Sequence, residues 1–163
     1  MAVSSVVKNF RDGTIVIEDA TATPLAVTVQ FDGDFSITGL NQGNVEATTY
    51  LDRGELGSVR KTSRTFPTFS LSASMTDLSD ATDKLLYDAV NKTGAYSAAV
   101  STGGTASDVY MLKVTLTIEG TNFGDSADHV LIMNNCHLAI DFAEGDPNSF
   151  TLNGTVYGAI TAT

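Results

Sequence analysis

The chain has 163 residues, of which 42% are hydrophobic and 17% charged, which fits one domain with a substantial core. Its formal net charge of −10 comes from 19 acidic against 9 basic residues and argues against tight nucleic-acid binding, because most of the surface would repel phosphate. The single cysteine, Cys136, excludes an internal disulfide and a zinc site built on paired cysteines.

Neither a signal peptide nor a transmembrane segment is expected. The first ten residues lack an apolar core followed by a cleavage site, and no stretch approaches the roughly 18 apolar residues that cross a bilayer. The sequence therefore predicts a soluble cytoplasmic product without membrane insertion.

Alternation of apolar and polar residues predicts strands from the start of the chain. In segment 32–34, Gly33 is free to adopt positive φ and favours a three-residue hairpin loop. Such a loop pairs Phe31 with Phe35, and it also pairs Val29 with Ile37. The apolar positions of the first two predicted strands are Ile15, Ile17, Val27, Val29 and Phe31.

Residues 40–66 differ in character, with weak alternation and three glycines, at positions 43, 54 and 57. We interpret this segment as a long loop, which in a compact domain is functional or disordered, and we expect it to be disordered in the free subunit. One alternative is a solvated loop, and the other is a positive arm that docks on the acidic surface of another copy. Four of the nine basic residues lie here: Arg53, Arg60, Lys61 and Arg64.

A strand and then a helix are predicted next. Phe69, Leu71, Ala73 and Met75 alternate with Thr and Ser. We expect Asp80 to cap the helix, Asp83 to lie in its first turn, and Lys92 and Gly94 to end it. A helix of about a dozen residues is marginal alone and must pack on a sheet. Its apolar stripe is Leu85, Leu86, Ala89 and Val90.

The last third predicts a strand over 112–118 and a long hairpin over 130–142 and 150–160, connected by a turn at 144–147. The predicted fold class is mainly β: two packed antiparallel sheets, sandwich- or barrel-like, with one flanking α-helix and a long loop, in one domain over 1–163. The hairpin residues expected to face one core are Ile132, Leu138, Ile140, Phe142, Phe150, Leu152, Val156 and Ile160.

Sequence patterns for catalysis and metal binding are weak. Residues 124–129 faintly match the nucleophile and base motifs of GDS-type esterases, but those motifs lie far apart in such enzymes. His129 and His137 lack a metal-ligand spacing. The acids at 32–34 and at 141–146 lack the twelve-residue calcium loop and are read as turn residues. We therefore expect no enzyme, no metal and no cofactor, and a small hydrolase is the weakest alternative.

The order and texture of five segments resemble the tail tube proteins of long-tailed bacteriophages. They are residues 50–55 (YLDRGE), 66–73 (FPTFSLSA), 76–80 (TDLSD), 93–96 (TGAY) and 150–158 (FTLNGTVYG). The resemblance implies a β-sandwich with a flanking helix and subunits that form stacked hexameric rings. Strands of six subunits would join into an inner barrel that conducts viral DNA into the host without specific binding.

The resemblance also implies partners and a location. Residues 40–66 would be the loop that reaches neighbouring subunits or the next ring. Tape measure, tail-tip and terminator proteins would be further partners, and the protein would lie in the virion tail after assembly in the host cytoplasm. No catalytic residue is implied. The expected contact residues are Tyr50, Arg53, Glu55, Arg60, Lys61 and Arg64.

Two alternatives share the β architecture. A tail-tip or adhesin-like β-sandwich would recognise a host surface ligand such as a glycan, although the absence of Trp and the presence of only five Tyr leave few stacking aromatics. A secretion-system tube protein would have the same fold and would also form rings.

Overall fold

The computed structural model describes residues 13–29, 35–40, 45–121 and 124–163. In this part of the chain, no helix is long and apolar enough to span a membrane. The strands are β1 (Thr14–Glu18), β2 (Ala26–Val29), β3 (Ser36–Thr38), β4 (Val45–Asp52), β5 (Glu55–Arg64), β6 (Thr68–Ser74), β7 (Leu112–Ile118), β8 (His129–Ala143), β9 (Ser149–Val156) and β10 (Ile160–Ala162), and the α-helix is α1 (Leu86–Asn91).

Two antiparallel sheets account for these strands. The main sheet has the order β2-β1-β7-β8-β9-β6-β3, and β10 pairs with β8 beside that path. Strands β4 and β5 form a separate two-stranded ribbon. The predicted fold class, mainly β with two antiparallel sheets and one helix, is confirmed.

The core is built from the alternating positions of the main sheet. Period-two patterning places one face of each strand inward, where apolar burial is favourable. The predicted inward residues of β1, β2, β6 and β7 are confirmed: Ile15, Ile17, Val27, Val29, Phe69, Leu71, Ala73, Leu112, Val114 and Leu116 are buried.

Strand β8 bends in the middle, and the bend changes which residues face the core. Asn135 has a positive φ of 53°, and the register with β7 shifts at this point, so one extra residue enters β8. Met133, rather than Ile132, is fully buried before the bulge. The expectation that Ile132 shares the inward parity of Leu138 is therefore wrong, because the bulge reverses the alternation.

Phe142 also departs from the expected core. It pairs with Phe150 across β8 and β9, and the two rings lie 6.0 Å apart between centroids in an edge-on arrangement. Phe150 is buried, whereas Phe142 is 56% exposed. Phe142 thus lies at the margin of the core, although its cross-strand partner lies inside it.

The hairpin expected at 32–34 lies outside the described residues. Within them, β2 and β3 stand at opposite ends of the strand order. Val29 pairs with Ile15, and Ile37 pairs with Phe69. The predicted pairing of Val29 with Ile37 is thus not found in the part of the chain that the structure describes.

Helix α1 is shorter than predicted and starts later. Asp80 does not cap it: its carboxylate accepts hydrogen bonds from the backbone N–H groups of Thr82 and Asp83, 2.6 and 2.8 Å away, in a turn before the helix. Hydrogen bonds from the Thr82 hydroxyl and from these backbone groups lower the pKa of Asp80 to about 2. Lys92 ends the helix as predicted, in the left-handed conformation with φ of 57°.

Two buried carboxylates fix the loops that flank the sheet. Asp88 of α1 accepts hydrogen bonds from the hydroxyls of Ser79 and Thr93 and from the N–H of Asp80. Gly94 lies so close to Asp88 that an added Cβ would sit 2.3 Å from the carboxylate, which excludes a side chain there. Asp19, at the end of β1, likewise accepts from the N–H groups of Leu25 and Val100 and from the Thr21 hydroxyl.

Candidate assembly surfaces

Residues 45–64, within the segment predicted to be a loop, form a β-hairpin instead, with register shifts between Val45 and Ala47 and between Tyr50 and Leu51. We call this ribbon of β4 and β5 the arm. Arg53 and Gly54 connect the strands with φ values of 49° and 88°, the combination that a two-residue type I′ turn requires. The backbone twist of this turn matches that of the two strands, and a 20-residue ribbon results where weak alternation predicted no structure.

A bulge at Gly57 decides which side chains share a face of the arm. Tyr50 pairs with Ser58, but the next residue, Leu51, pairs with Leu56, so Gly57 is the extra residue. Without this bulge, Leu56 and Val59 would point to opposite sides. With it, cross-strand partners place Leu51, Leu56 and Val59 on one face.

The two faces of the arm therefore differ in chemistry. The apolar face carries Ala47, Thr49, Leu51, Leu56, Val59 and Lys61, and the polar face carries Thr48, Tyr50, Asp52, Glu55, Ser58 and Arg60.

The apolar face is exposed to solvent. Leu51, Leu56 and Val59 are 64%, 65% and 56% exposed, and Tyr50 on the other face is 54% exposed. An isolated two-stranded hairpin is marginally stable in water, and an exposed apolar ribbon tends to pair with other chains. Such a surface is typical of a region that becomes covered on assembly.

All six predicted contact residues lie on the arm, but not on one surface. Tyr50, Glu55 and Arg60 are on the polar face, Lys61 is on the apolar face, Arg53 is at the tip and Arg64 pairs with Val45 at the base. The three large apolar residues 51, 56 and 59 were missed because the bulge breaks their period-two spacing. An isolated glycine within a strand-like segment is the one signal that could have indicated this bulge.

The base of the arm is tied to the main sheet by aromatic contacts. The Arg64 guanidinium lies 5.1 Å from the centroid of the Phe66 ring, and Phe66 packs on Tyr157 with centroids 4.8 Å apart. Pro67, directly after this cluster, is buried and accepts a backbone hydrogen bond from Val156. These contacts orient the arm at its point of attachment.

A second apolar surface lies at one end of the main sheet, where the inward-facing residues of β7, β8 and β10 are only partly buried or exposed. Ile118 pairs with His129, and Leu131 pairs with both Leu116 and Ala162, so these side chains continue the core face outward. They form a mostly apolar pocket of about 380 Å³ that we call the end pocket. Its lining residues are Leu40, Ile118, His129, Val130, Leu131, Ala162 and Thr163.

Three acidic residues lie next to residues that line the end pocket. Glu119 follows Ile118 directly, and Asp128 precedes His129. Asp128 accepts hydrogen bonds from the N–H groups of Gly120 and Thr121, which lower its pKa and keep it ionised. Asp125 lies 2.9 Å from Nε2 of His129. In the segment that faintly matches esterase motifs, the His129 imidazole thus lines the end pocket and contacts Asp125.

A third surface is the outward face of β3, β6, β9 and β8. Its residues are small and polar, and the strands contain no Lys or Arg. Lys113 lies on the polar face of β7 and forms an ion pair with Glu18 of β1. The outward face is formed by Ser36, Thr38, Thr68, Ser70, Ser72, His137, Ala139, Asp141, Thr151, Asn153 and Thr155.

Among the described residues, no group of three or more His, Cys, Asp or Glu is arranged to hold a metal ion. Asp141, one of the acids weighed for calcium, accepts a hydrogen bond from the side-chain amide of Asn153 at 3.2 Å. The acids at 32–34 lie outside the described residues.

No family model and no curated protein matches the sequence. Solved structures do resemble it over nearly the whole length. A chain in the sheath/tube terminator of an extracellular contractile injection system, PVC in the extended state, has a TM-score of 0.59 and 12% identity and covers 99% of both chains. A chain in the PVC sheath-tube complex also has a TM-score of 0.59, with 11% identity over 99% of this chain and 93% of that one.

A chain in the cap that terminates the tube of the anti-feeding prophage is similar as well, with a TM-score of 0.56 and 14% identity over 100% and 94% of the two chains. At these identities the likeness establishes a shared fold.

Proposed function

We propose that the chain is a non-enzymatic structural subunit of a phage tail or tail-like injection particle, where copies of it form stacked hexameric rings that build a tube. The observation that carries this proposal is the arm, a two-stranded ribbon whose apolar face is solvent-exposed in the single chain. The likeness over nearly the full chain to structures of contractile injection systems supports it.

The energetics of the arm favour association. Leu51, Leu56 and Val59 are each more than half exposed, and burial of the exposed part of such side chains contributes roughly 1 to 2 kcal/mol apiece. In a closed ring, every interface between subunits would gain this burial free energy. The basic residues of the arm add complementarity to an otherwise acidic molecule, which selects the partner and fixes the register.

In a long-tailed phage, the tube would be the conduit for the genome. A surface that lines a DNA conduit should carry few cationic side chains, and the outward face of β3, β6, β9 and β8 contains no Lys or Arg. Tape measure, tail-tip and terminator proteins would complete the tail, which would assemble in the host cytoplasm and remain in the virion. The same subunit design would serve a related injection particle.

Negative-stain electron microscopy of the purified protein across a concentration series tests this proposal. We expect hollow tubes or six-fold rings of uniform diameter at high concentration. The variant Leu51→Ser with Leu56→Ser should keep the melting temperature of the single chain but lose these assemblies, because the side chains are exposed before association.

A matched variant on the other face of the arm, Thr48→Ser with Ser58→Ala, should assemble like the unmodified protein. Small particles at every concentration would contradict the tube proposal and would favour the β-sandwich binding module.

A further inference from the structure

The arm and the end pocket are two apolar surfaces on different parts of one molecule. A patch and a pocket that match each other at separate sites make a head-to-tail contact, which closes into rings or continues as a filament. We propose that the apolar face of the arm inserts into the end pocket of a second copy, where Leu51, Leu56 and Val59 cover Ile118, Leu131 and Ala162. This inference rests on the proposed function and identifies the receiving surface.

The exposure of the arm in the single chain indicates that the contact joins two chains. Leu40 lines the end pocket and lies only five residues before Val45, where the arm begins. Leu51 is six residues further along β4, about 20 Å away at the rise of an extended strand. Leu51, Leu56 and Val59 are each more than half exposed in the single chain, so they do not fill the pocket of their own chain.

Charge complementarity supports the same partner. The arm contains four basic and three acidic residues, whereas the rest of the chain contains five basic and sixteen acidic ones. Lys61 shares the apolar face with Val59, so its ammonium group would arrive at the pocket rim together with the apolar side chains. The rim supplies Glu119, Asp125 and Asp128 as counter-charges.

Site-directed disulfide formation tests the contact. One preparation carries Leu56→Cys, a second carries Ala162→Cys, and the two are mixed under mild oxidation so that any adduct joins two chains. The native thiol does not interfere, because Cys136 is fully buried and burial raises its pKa to about 12. The matched control replaces Leu56→Cys by Ser58→Cys, which lies two residues away on the opposite face.

We expect roughly tenfold more two-chain adduct from Leu56→Cys than from Ser58→Cys, since a disulfide requires Cα atoms within about 7 Å. Rings or tubes that form with no excess adduct would overturn this inference while the proposed function stands. Absence of both assemblies and adduct would overturn both together.

A charge exchange gives a second readout. Lys61→Glu should raise the protein concentration needed for assembly roughly fivefold, and the added change Glu119→Lys should restore it in part. Glu119 is suitable for this exchange because, among the hydrogen bonds described, its carboxylate accepts one only, from the Thr121 hydroxyl. Equal assembly of all three proteins would contradict a role of Lys61 at the pocket rim.

Discussion

Asp19 and Asp88 are buried carboxylates whose hydrogen-bond donors are backbone N–H groups and hydroxyls. Burial raises the pKa of Asp19, but hydrogen bonds from Val100, Leu25 and Thr21 outweigh it, and the pKa falls below its ordinary value. For Asp88, burial is likewise outweighed by Thr93, Asp80 and Ser79, and the pKa is again lowered. Asp19 thus joins segments that are far apart in the chain, at Val100 and β1, whereas Asp88 joins the residues just before and just after α1.

These lowered pKa values make the protein sensitive to acid. Since the folded-state pKa lies below the unfolded one, the stabilisation is complete above the unfolded pKa, about 4, and is lost as the pH falls through the folded value. We expect Asp88→Asn to lower the free energy of unfolding by about 2 kcal/mol at neutral pH. The variant should also show a smaller loss of stability on acidification, measured by urea denaturation across a pH series.

Asp83→Asn is the matched control, because Asp83 is an exposed carboxylate in the same region. It should change the free energy of unfolding by less than about 0.5 kcal/mol. An unchanged pH profile in Asp88→Asn would show that this carboxylate does not contribute to acid lability.

At the scale of single elements, two bulges determine both the core and the candidate site. The bulge at Asn135 reverses the alternation of β8, and the one at Gly57 brings Leu56 and Val59 to one face of the arm. Both act by the same rule: one extra residue moves every following side chain to the opposite side of the strand.

The β8 bulge yields a prediction about backbone conformation. Asn135 has φ of 53°, which Asn and Gly tolerate better than Ala. Asn135→Ala should therefore lower the free energy of unfolding by about 1 kcal/mol, whereas Asn135→Gly should leave it unchanged or raise it. Chemical denaturation of the three proteins checks this, and an equal loss in both variants would assign the effect to the Asn side chain instead of φ.

The limits of sequence reasoning follow from these elements. Regular alternation predicted the inward residues of β1, β2, β6 and β7, because each strand keeps its period. It failed at Ile132 and over the arm, where a bulge interrupts the period without a distinctive local signal. Asp80 is a residue type that favours the N-cap of a helix, but its carboxylate accepts hydrogen bonds within a turn that precedes α1. The end pocket could not be predicted, since Leu40, Ile118 and Ala162 meet only through the sheet order.

At the scale of the whole molecule, charge is unevenly distributed. Four of the nine basic residues are concentrated in the arm, and the remaining surface is strongly acidic. If the basic residues of the arm meet acidic residues of neighbouring copies, assembly neutralises the positive charge and leaves a surface that repels phosphate. A tube built from such subunits, as proposed, would then enclose DNA without holding it.

We therefore expect the assembled protein not to bind duplex DNA, even at low ionic strength, where electrostatic binding is strongest. Fluorescence anisotropy of a labelled duplex, titrated with assembled and unassembled protein, measures this. Binding by the assembled form that weakens steeply with salt would contradict a passive conduit.

The attachment of the arm has a mechanical consequence. Both strands leave the main sheet together, joined by the Arg53–Gly54 turn at one end and braced by Phe66 and Tyr157 at the other. A pull on the tip along the ribbon is carried by two covalent backbones in parallel, and the hydrogen bonds between them need not break. Only a force that separates the strands sideways at the base would unzip them. Subunits linked through such arms would resist axial stretching while still tolerating bending.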